Sequence, residues 1–319
     1  MSQNLALVLG GGGAAGNAWM IGIIAGLAEA GLDMTQAADL VIGTSSGATA
    51  AAHVCSGRPA AELLALVLSE PVRAGGPNRQ PPPSAPPSRP PSLPMATIFE
   101  RMRAIGAAAS CAADLRLAMG AFGLECDPLL DPAAAPRRRA LVASRLLRPE
   151  WPERPMIVVA VNAHTGELAA FDRHSDVELA DAVTASTALP GGPTHSIHGV
   201  RYINGGVRSA DNADLAAGFA NVVVLTPFSE RSGPLPEGQF EGLRREREWG
   251  TDLASQVENL REQGARVVVI TPDADSRAAM GTNQMDPATR IPAALAGHAQ
   301  GKQEASRVTG SDDGPPYGR

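Results

Sequence analysis

Leu40-Val41-Ile42-Gly43-Thr44-Ser45-Ser46-Gly47-Ala48-Thr49-Ala50-Ala51-Ala52 runs from an apolar segment, through a glycine-flanked serine, into a stretch of small residues. Strand, sharp turn and helix are expected in that order. A serine on such a turn is pushed out of the backbone with its hydroxyl exposed at the helix N-terminus, and the flanking glycines permit the tight geometry. Ser45 is therefore the candidate nucleophile for acyl transfer. Taken alone, the five-residue pattern also fits an ordinary βα turn in a chain that holds 34 Gly.

A second glycine cluster lies upstream. Leu5-Ala6-Leu7-Val8-Leu9 predicts a buried strand, and Gly10-Gly11-Gly12-Gly13-Ala14-Ala15-Gly16 leads from it into an apolar helix over 17–30. A glycine loop between strand and helix presents backbone N–H groups beside the positive end of the helix, which suits a phosphate or an oxyanion. Gly11-x-Gly13-x-x-Gly16 also fits the dinucleotide fingerprint, which asks for an acidic residue at the end of the second strand. Here the second strand ends in Gly43 and Ser45 instead. Gly11, Gly12 and Gly13 are accordingly the candidate oxyanion-binding residues, with a dinucleotide site as the alternative.

Two further blocks follow, Ala185-Ser186-Thr187-Ala188-Leu189-Pro190 and Asn204-Gly205-Gly206-Val207. The four blocks together, in this order and spacing, resemble the bacterial patatin-like phospholipases over about residues 5–227. That resemblance implies a three-layer α/β/α fold and a lipid acyl hydrolase with a Ser-Asp dyad, working without metal or organic cofactor. It also implies that the fourth block begins with the residue that takes the serine proton. In this chain that position is Asn204, which makes Asn204 the second candidate catalytic residue and a departure from the family pattern. An amide oxygen accepts a hydrogen bond but takes up no proton at neutral pH. Without a replacement, general-base catalysis worth roughly 10²–10⁴-fold is missing. Asp211 and Asp214 are the nearby carboxylates that offer one. The alternatives are an impaired acyl hydrolase and a catalytically silent lipid- or acyl-binding pseudoenzyme. A Ser-His-Asp triad would need a late histidine, and His198 and His298 are the candidates.

Composition narrows the setting. A net charge of -6 and a pI near 5.6 exclude the clustered basic face of a nucleic-acid binder. Arg137-Arg138-Arg139 reads as a solvated helix face, with an anionic membrane surface as the other use. Cys55, Cys111 and Cys126 are odd in number and lack metal-type spacing, so neither a disulfide framework nor a metal site is expected. No secretory signal is visible at the N-terminus, and a cytoplasmic location is expected. The implied partners are a lipid or acyl-ester substrate and, peripherally, a membrane. Oligomeric state is not legible.

Along the rest of the chain, residues 60–69 predict a helix, and 71–94 are so dense in proline that they predict a mobile polyproline-like insertion. Met95, Ile98, Phe99, Met102 and Ile105 recur at helical spacing, which predicts a helix that faces either the core or an acyl pocket as a lid. Met156-Ile157-Val158-Val159-Ala160-Val161, Asn221-Val222-Val223-Val224-Leu225 and Arg266-Val267-Val268-Val269-Ile270 predict buried strands, and Leu168-Ala169-Ala170-Phe171 a hairpin partner for the first of them. Helices are expected over 178–187 and, charged, over 243–263. Alternating strands and helices imply a mostly parallel sheet covered on both faces. The expected organisation is an acyl hydrolase domain over 1–227, a helix-strand-helix extension over 228–308 packed on the same sheet, and a disordered tail over 309–319.

Overall fold

The computed structural model describes residues 4–69, 94–228, 243 and 245–310. Its strands are β1 (Leu5–Leu9), β2 (Leu40–Thr44), β3 (Met156–Asn162), β4 (Leu168–Phe171), β5 (His195–Ile197), β6 (Val200–Asn204), β7 (Asn221–Leu225) and β8 (Arg266–Ile270). Its helices are α1 (Gly13–Glu29), α2 (Met34–Ala37), α3 (Ser46–Val54), α4 (Ala60–Leu68), α5 (Met95–Ala108), α6 (Ala112–Cys126), α7 (Ala134–Ala143), α8 (Leu179–Ser186), α9 (Leu253–Glu262), α10 (Ala274–Met280) and α11 (Arg290–Thr309). The strands form one sheet in the order β5-β6-β3-β2-β1-β7-β8, with β4 paired to β3 off this path. Along the sheet from β3 to β8 every neighbouring pair is parallel, whereas the pairs β3–β4, β3–β6 and β5–β6 are antiparallel.

Strand periodicity divides the apolar residues between two layers. Leu5, Leu7 and Leu9 pack with residues of α1, α3, α4, α8 and α11, while Ala6 and Val8 face α9 and the 3₁₀ turn Ala213–Ala216. Val223 and Leu225 against Val222 and Val224 repeat the same alternation on β7. Both faces are therefore buried, which is why these strands read as continuous apolar runs. The three-layer α/β/α arrangement expected from the sequence is present.

The C-terminal segment joins this sheet and core. β8 pairs along β7, and α11 lies directly on α1. The two helix backbones touch because their seam is glycine: a Cβ on Gly22 would meet Ala294 O at 2.2 Å, and one on Gly297 would meet Trp19 O at 2.4 Å. A buried polar cluster locks the pair, with Trp19 Nε1 and Ser276 Oγ donating to Gln300 Oε1 at 3.1 and 2.9 Å.

Several expectations are corrected. The charged helix over 243–263 shrinks to α9: a 3₁₀ turn spans Arg247–Trp249, Gly250 adopts a left-handed φ of 64°, and Asp252 restarts the helix by accepting from Ser255 N at 2.9 Å. The tail does not begin at 309, because Thr309 closes α11 and Gly310 caps it with φ 77°; 311–319 lie outside the described residues. Of the proline-rich stretch only Pro94 is described, as the residue before α5. α5 spends Ile98, Phe99 and Met102 on α6, β3 and β6, and Ile98 closes on Gly191. It is a wall of the third apolar cluster, so the core-facing alternative holds for these residues. Of the Arg137–Arg139 run, Arg137 and Arg139 stay at the surface in ion pairs with Asp131, Glu178 and Asp181, while Arg138 departs from the solvated face by turning inward to Thr187 O.

Candidate active site

β2 delivers Ser45 at its C-terminal end, in a conformation that L residues avoid (φ 57°, ψ −121°). Such a backbone costs on the order of 1–3 kcal/mol and persists only where the surroundings over-determine it. Here they do. Ser45 N donates to Ser186 Oγ at 2.9 Å, and Ala48 N donates to Ser45 O at 2.9 Å, starting α3. Gly47 lies so close to β1 that a Cβ there would meet Leu9 O at 2.0 Å. The glycine after the serine is thus demanded by the packing of the turn on the neighbouring strand.

Position 204 reaches the same place from β6. Asn204 is 7% exposed, and its backbone pairs opposite Ala160 of β3. Its Oδ1 accepts from Gly206 N at 2.7 Å, and its Nδ2 donates to Ser45 Oγ at 3.0 Å. The two candidate catalytic side chains are therefore in direct contact. The sense of the bond is the reverse of base catalysis, because the amide supplies a proton to the serine oxygen and Oδ1 is spent on the turn.

The Ala185–Pro190 block has a physical role that its sequence did not reveal. Ser186 Oγ holds the Ser45 amide, Thr187 O accepts from Arg138 Nη2, and Ala188 O accepts from Asn204 N at 2.7 Å. Consecutive residues after α8 therefore fix both partners of the site, and Arg138 of α7 caps the helix end that carries them.

The glycine loop borders the serine: a Cβ on Gly11 would stand 3.6 Å from Ser45 Cβ. Gly11 itself must be corrected as an oxyanion donor, since its N–H already donates to Ala210 O at 2.9 Å. Its amide anchors the loop. Gly12 and Gly13 remain at the N-terminus of α1, where Gly13 takes φ 63° and Ala15 N donates to Gln284 O at 3.0 Å.

Among the hydrogen bonds of the described residues, neither proposed replacement base bonds to Ser45. Asp214 is held by Arg208, whose Nη1 donates to Asp214 Oδ1 at 3.0 Å. Asp211 is buried under the start of the glycine loop, where a Cβ on Gly10 would lie 2.1 Å from its Oδ1. Burial pushes its carboxyl up to about 6 against the pull of the Thr226 hydrogen bond and the Arg245 charge, and Oδ1 has no partner among the described residues. Arg245 is half-buried and serves the turn after Asn204, with Nε donating to Arg208 O at 3.0 Å and Nη2 to Val207 O at 3.2 Å. No histidine completes a triad: His298 pairs with Glu29 at 2.8 Å, and His198 forms the β5–β6 turn with φ 50°.

A parallel sheet covered on both faces, with a strained serine at one strand end and a glycine loop beside it, defines an α/β protein of the nucleophile-elbow type. The chain belongs to the patatin-like phospholipase family, whose model matches residues 7–217. Two solved structures are similar at low identity. The type III effector protein ExoU matches with a TM-score of 0.41 and 15% identity over 97% of this chain and 53% of its own. VipD from Legionella pneumophila matches with a TM-score of 0.41 and 15% identity over 95% of this chain and 66% of its own. This chain thus spans about half the length of the first and about two thirds of the second. No curated protein matches it.

Proposed function

We propose that the chain is a serine acyl hydrolase for lipid esters, built to form an acyl-enzyme on Ser45 and impaired as written by the amide at position 204. The observation that carries this is the 3.0 Å contact between Asn204 Nδ2 and Ser45 Oγ on a strained elbow. With a carboxylate at 204, the serine proton passes to it while Oγ attacks the ester carbonyl, and amides of Gly12 and Gly13 receive the oxyanion. Collapse expels the alcohol, which takes the proton back, and water then releases the acid by the same route. The reaction draws on no metal or organic cofactor. Lipid is met at a membrane surface from the cytoplasmic side; no helix among the described residues is long and apolar enough to cross a membrane.

The second function is that of a silent acyl-binding protein, and the direction of the Asn204 hydrogen bond favours it for this exact sequence. A fluorophosphonate probe and a short-chain nitrophenyl ester separate the two. Slow but Ser45-dependent labelling and turnover, both raised by Asn204→Asp, support the hydrolase. Labelling of neither form would leave only binding.

A further inference from the structure

We propose that Arg290, the first residue of α11, is a positioning residue of this site, acting through Asn17 on the nucleophile elbow. The inference rests on Ser45 being the nucleophile. Arg290 Nη1 donates to Asn17 Oδ1 and to Ala14 O, each at 3.2 Å. Asn17, on the first turns of α1, is 5% exposed, and its Nδ2 donates to Ser46 O at 3.1 Å. A guanidinium only donates, so Arg290 fixes which end of the Asn17 amide is oxygen and thereby aims the NH₂ group at the carbonyl that follows Ser45. Ser186 holds the elbow by the Ser45 amide on one side, and Asn17 holds it by the Ser46 carbonyl on the other. A residue with φ 57° needs both restraints to stay in place.

The segment that leads into α11 touches the same loop. Gln284 O takes the Ala15 amide at 3.0 Å, and Met285 Sδ lies 2.9 Å from where a Gly13 Cβ would stand. Residues 284–290 fall outside the 7–217 family match, yet they brace the glycine loop from its outer side. The Arg290 charge also sits on the α1 turn whose leading amides face the developing oxyanion, where a positive field favours the intermediate. The C-terminal segment is thus a working wall of the site.

The test uses the full chain with Asn204→Asp as parent, reading kcat and KM on a nitrophenyl ester, the rate of fluorophosphonate labelling, and backbone hydrogen exchange over 13–19 and 44–50. Arg290→Gln is expected to lower kcat and labelling about ten- to a hundredfold, with KM within about twofold, because misplacement of the nucleophile costs the chemical step rather than binding. Arg290→Lys, which keeps a donor and the charge, should recover part of the loss. Asn17→Asp keeps an acceptor for Arg290 and removes the donor to Ser46 O, so it should lose as much, and the double variant should be no worse than the worse single. Unchanged kcat and exchange, a change confined to KM, or additive losses would overturn the inference. If the parent neither hydrolyses nor labels, the hydrolase function falls, and exchange over 44–50 in Arg290→Gln still decides: faster exchange upholds the brace and unchanged exchange ends it. If Arg290→Gln does not fold, Asn17→Asp carries the same measurements alone.

Discussion

Asn204, the last residue of β6, and Asp211, in the loop that follows it, meet opposite fates. Asn204 touches Ser45, has both side-chain polar atoms bonded, and carries no charge. Asp211 is an acid buried beneath the glycine loop, with one oxygen unpartnered and no hydrogen bond to Ser45 among the described residues. The chain therefore holds an amide where the proposed chemistry calls for a carboxylate, and a carboxyl where packing would accept an amide. Contact alone does not make a base, and a raised proton affinity alone does not make one either: geometry and titration must coincide at one side chain. Here they are divided between two.

The most direct way to break this contrast is to put the acid back in place. Asn204→Asp is isosteric, keeps the bond from Gly206 N, and should raise ester turnover at least about a hundredfold. The measurement is kcat/KM on a short nitrophenyl ester at neutral pH, with Ser45→Ala in the same background as the zero. Equal turnover in the two forms would mean that a group other than residue 204 takes the serine proton.

Asp211→Asn sharpens the other half. A carboxyl held at about 6 in the fold, against an ordinary 3.8, binds its proton more tightly folded than unfolded. Folding stability attributable to it therefore falls as pH rises through that window, and the deficit is complete above it. The asparagine variant should match the parent below about pH 4 and exceed it by about 1–3 kcal/mol at pH 7, less than the full shift because Arg245 loses a neighbouring anion. Urea unfolding at both pH values reads the difference. Turnover in the Asn204→Asp background should stay within about twofold; a collapse of turnover would assign Asp211 a part in proton transfer.

Much of this frame is legible in the chain because it is local. Five-residue apolar runs followed by glycine and a helix pattern specify both strand-turn-helix units, and β-branched runs specify the strands that flank them. The contact between residues 45 and 204 is legible only through the resemblance of four blocks, since no local pattern links positions so far apart. What is not legible is where polar groups find partners. Nothing in Gly10-Gly11-Gly12-Gly13 tells that the Gly11 amide belongs to Ala210, a strand crossover away. Nothing near Arg290 announces Asn17. The helix expected over 243–263 fails for a related reason: a single left-handed glycine at 250 and a capping aspartate at 252 outweigh a charged pattern that would otherwise continue.

Asp214 supplies the smallest and most discriminating test, because it is the second carboxyl of the same segment and the better neutralised. Arg208 grips it through both guanidinium nitrogens, and the pair is partly open to solvent, with Arg208 17% and Asp214 34% exposed. Solvent screening and side-chain entropy leave such a pair worth about 1 kcal/mol or less. Arg208 also donates to Asn212 Oδ1 at 2.7 Å, and Asn212 Nδ2 donates to Thr44 Oγ1 at 3.0 Å, so this loop has a second tie to the strand that carries Ser45. Asp214→Asn should therefore cost about 1 kcal/mol in urea unfolding, fading at high salt, and leave turnover of the Asn204→Asp form within about twofold. A loss of turnover beyond tenfold at unchanged stability would show that the carboxylate at 214 reaches the reaction after all, and that the division between residues 204 and 211 omits the acid that matters.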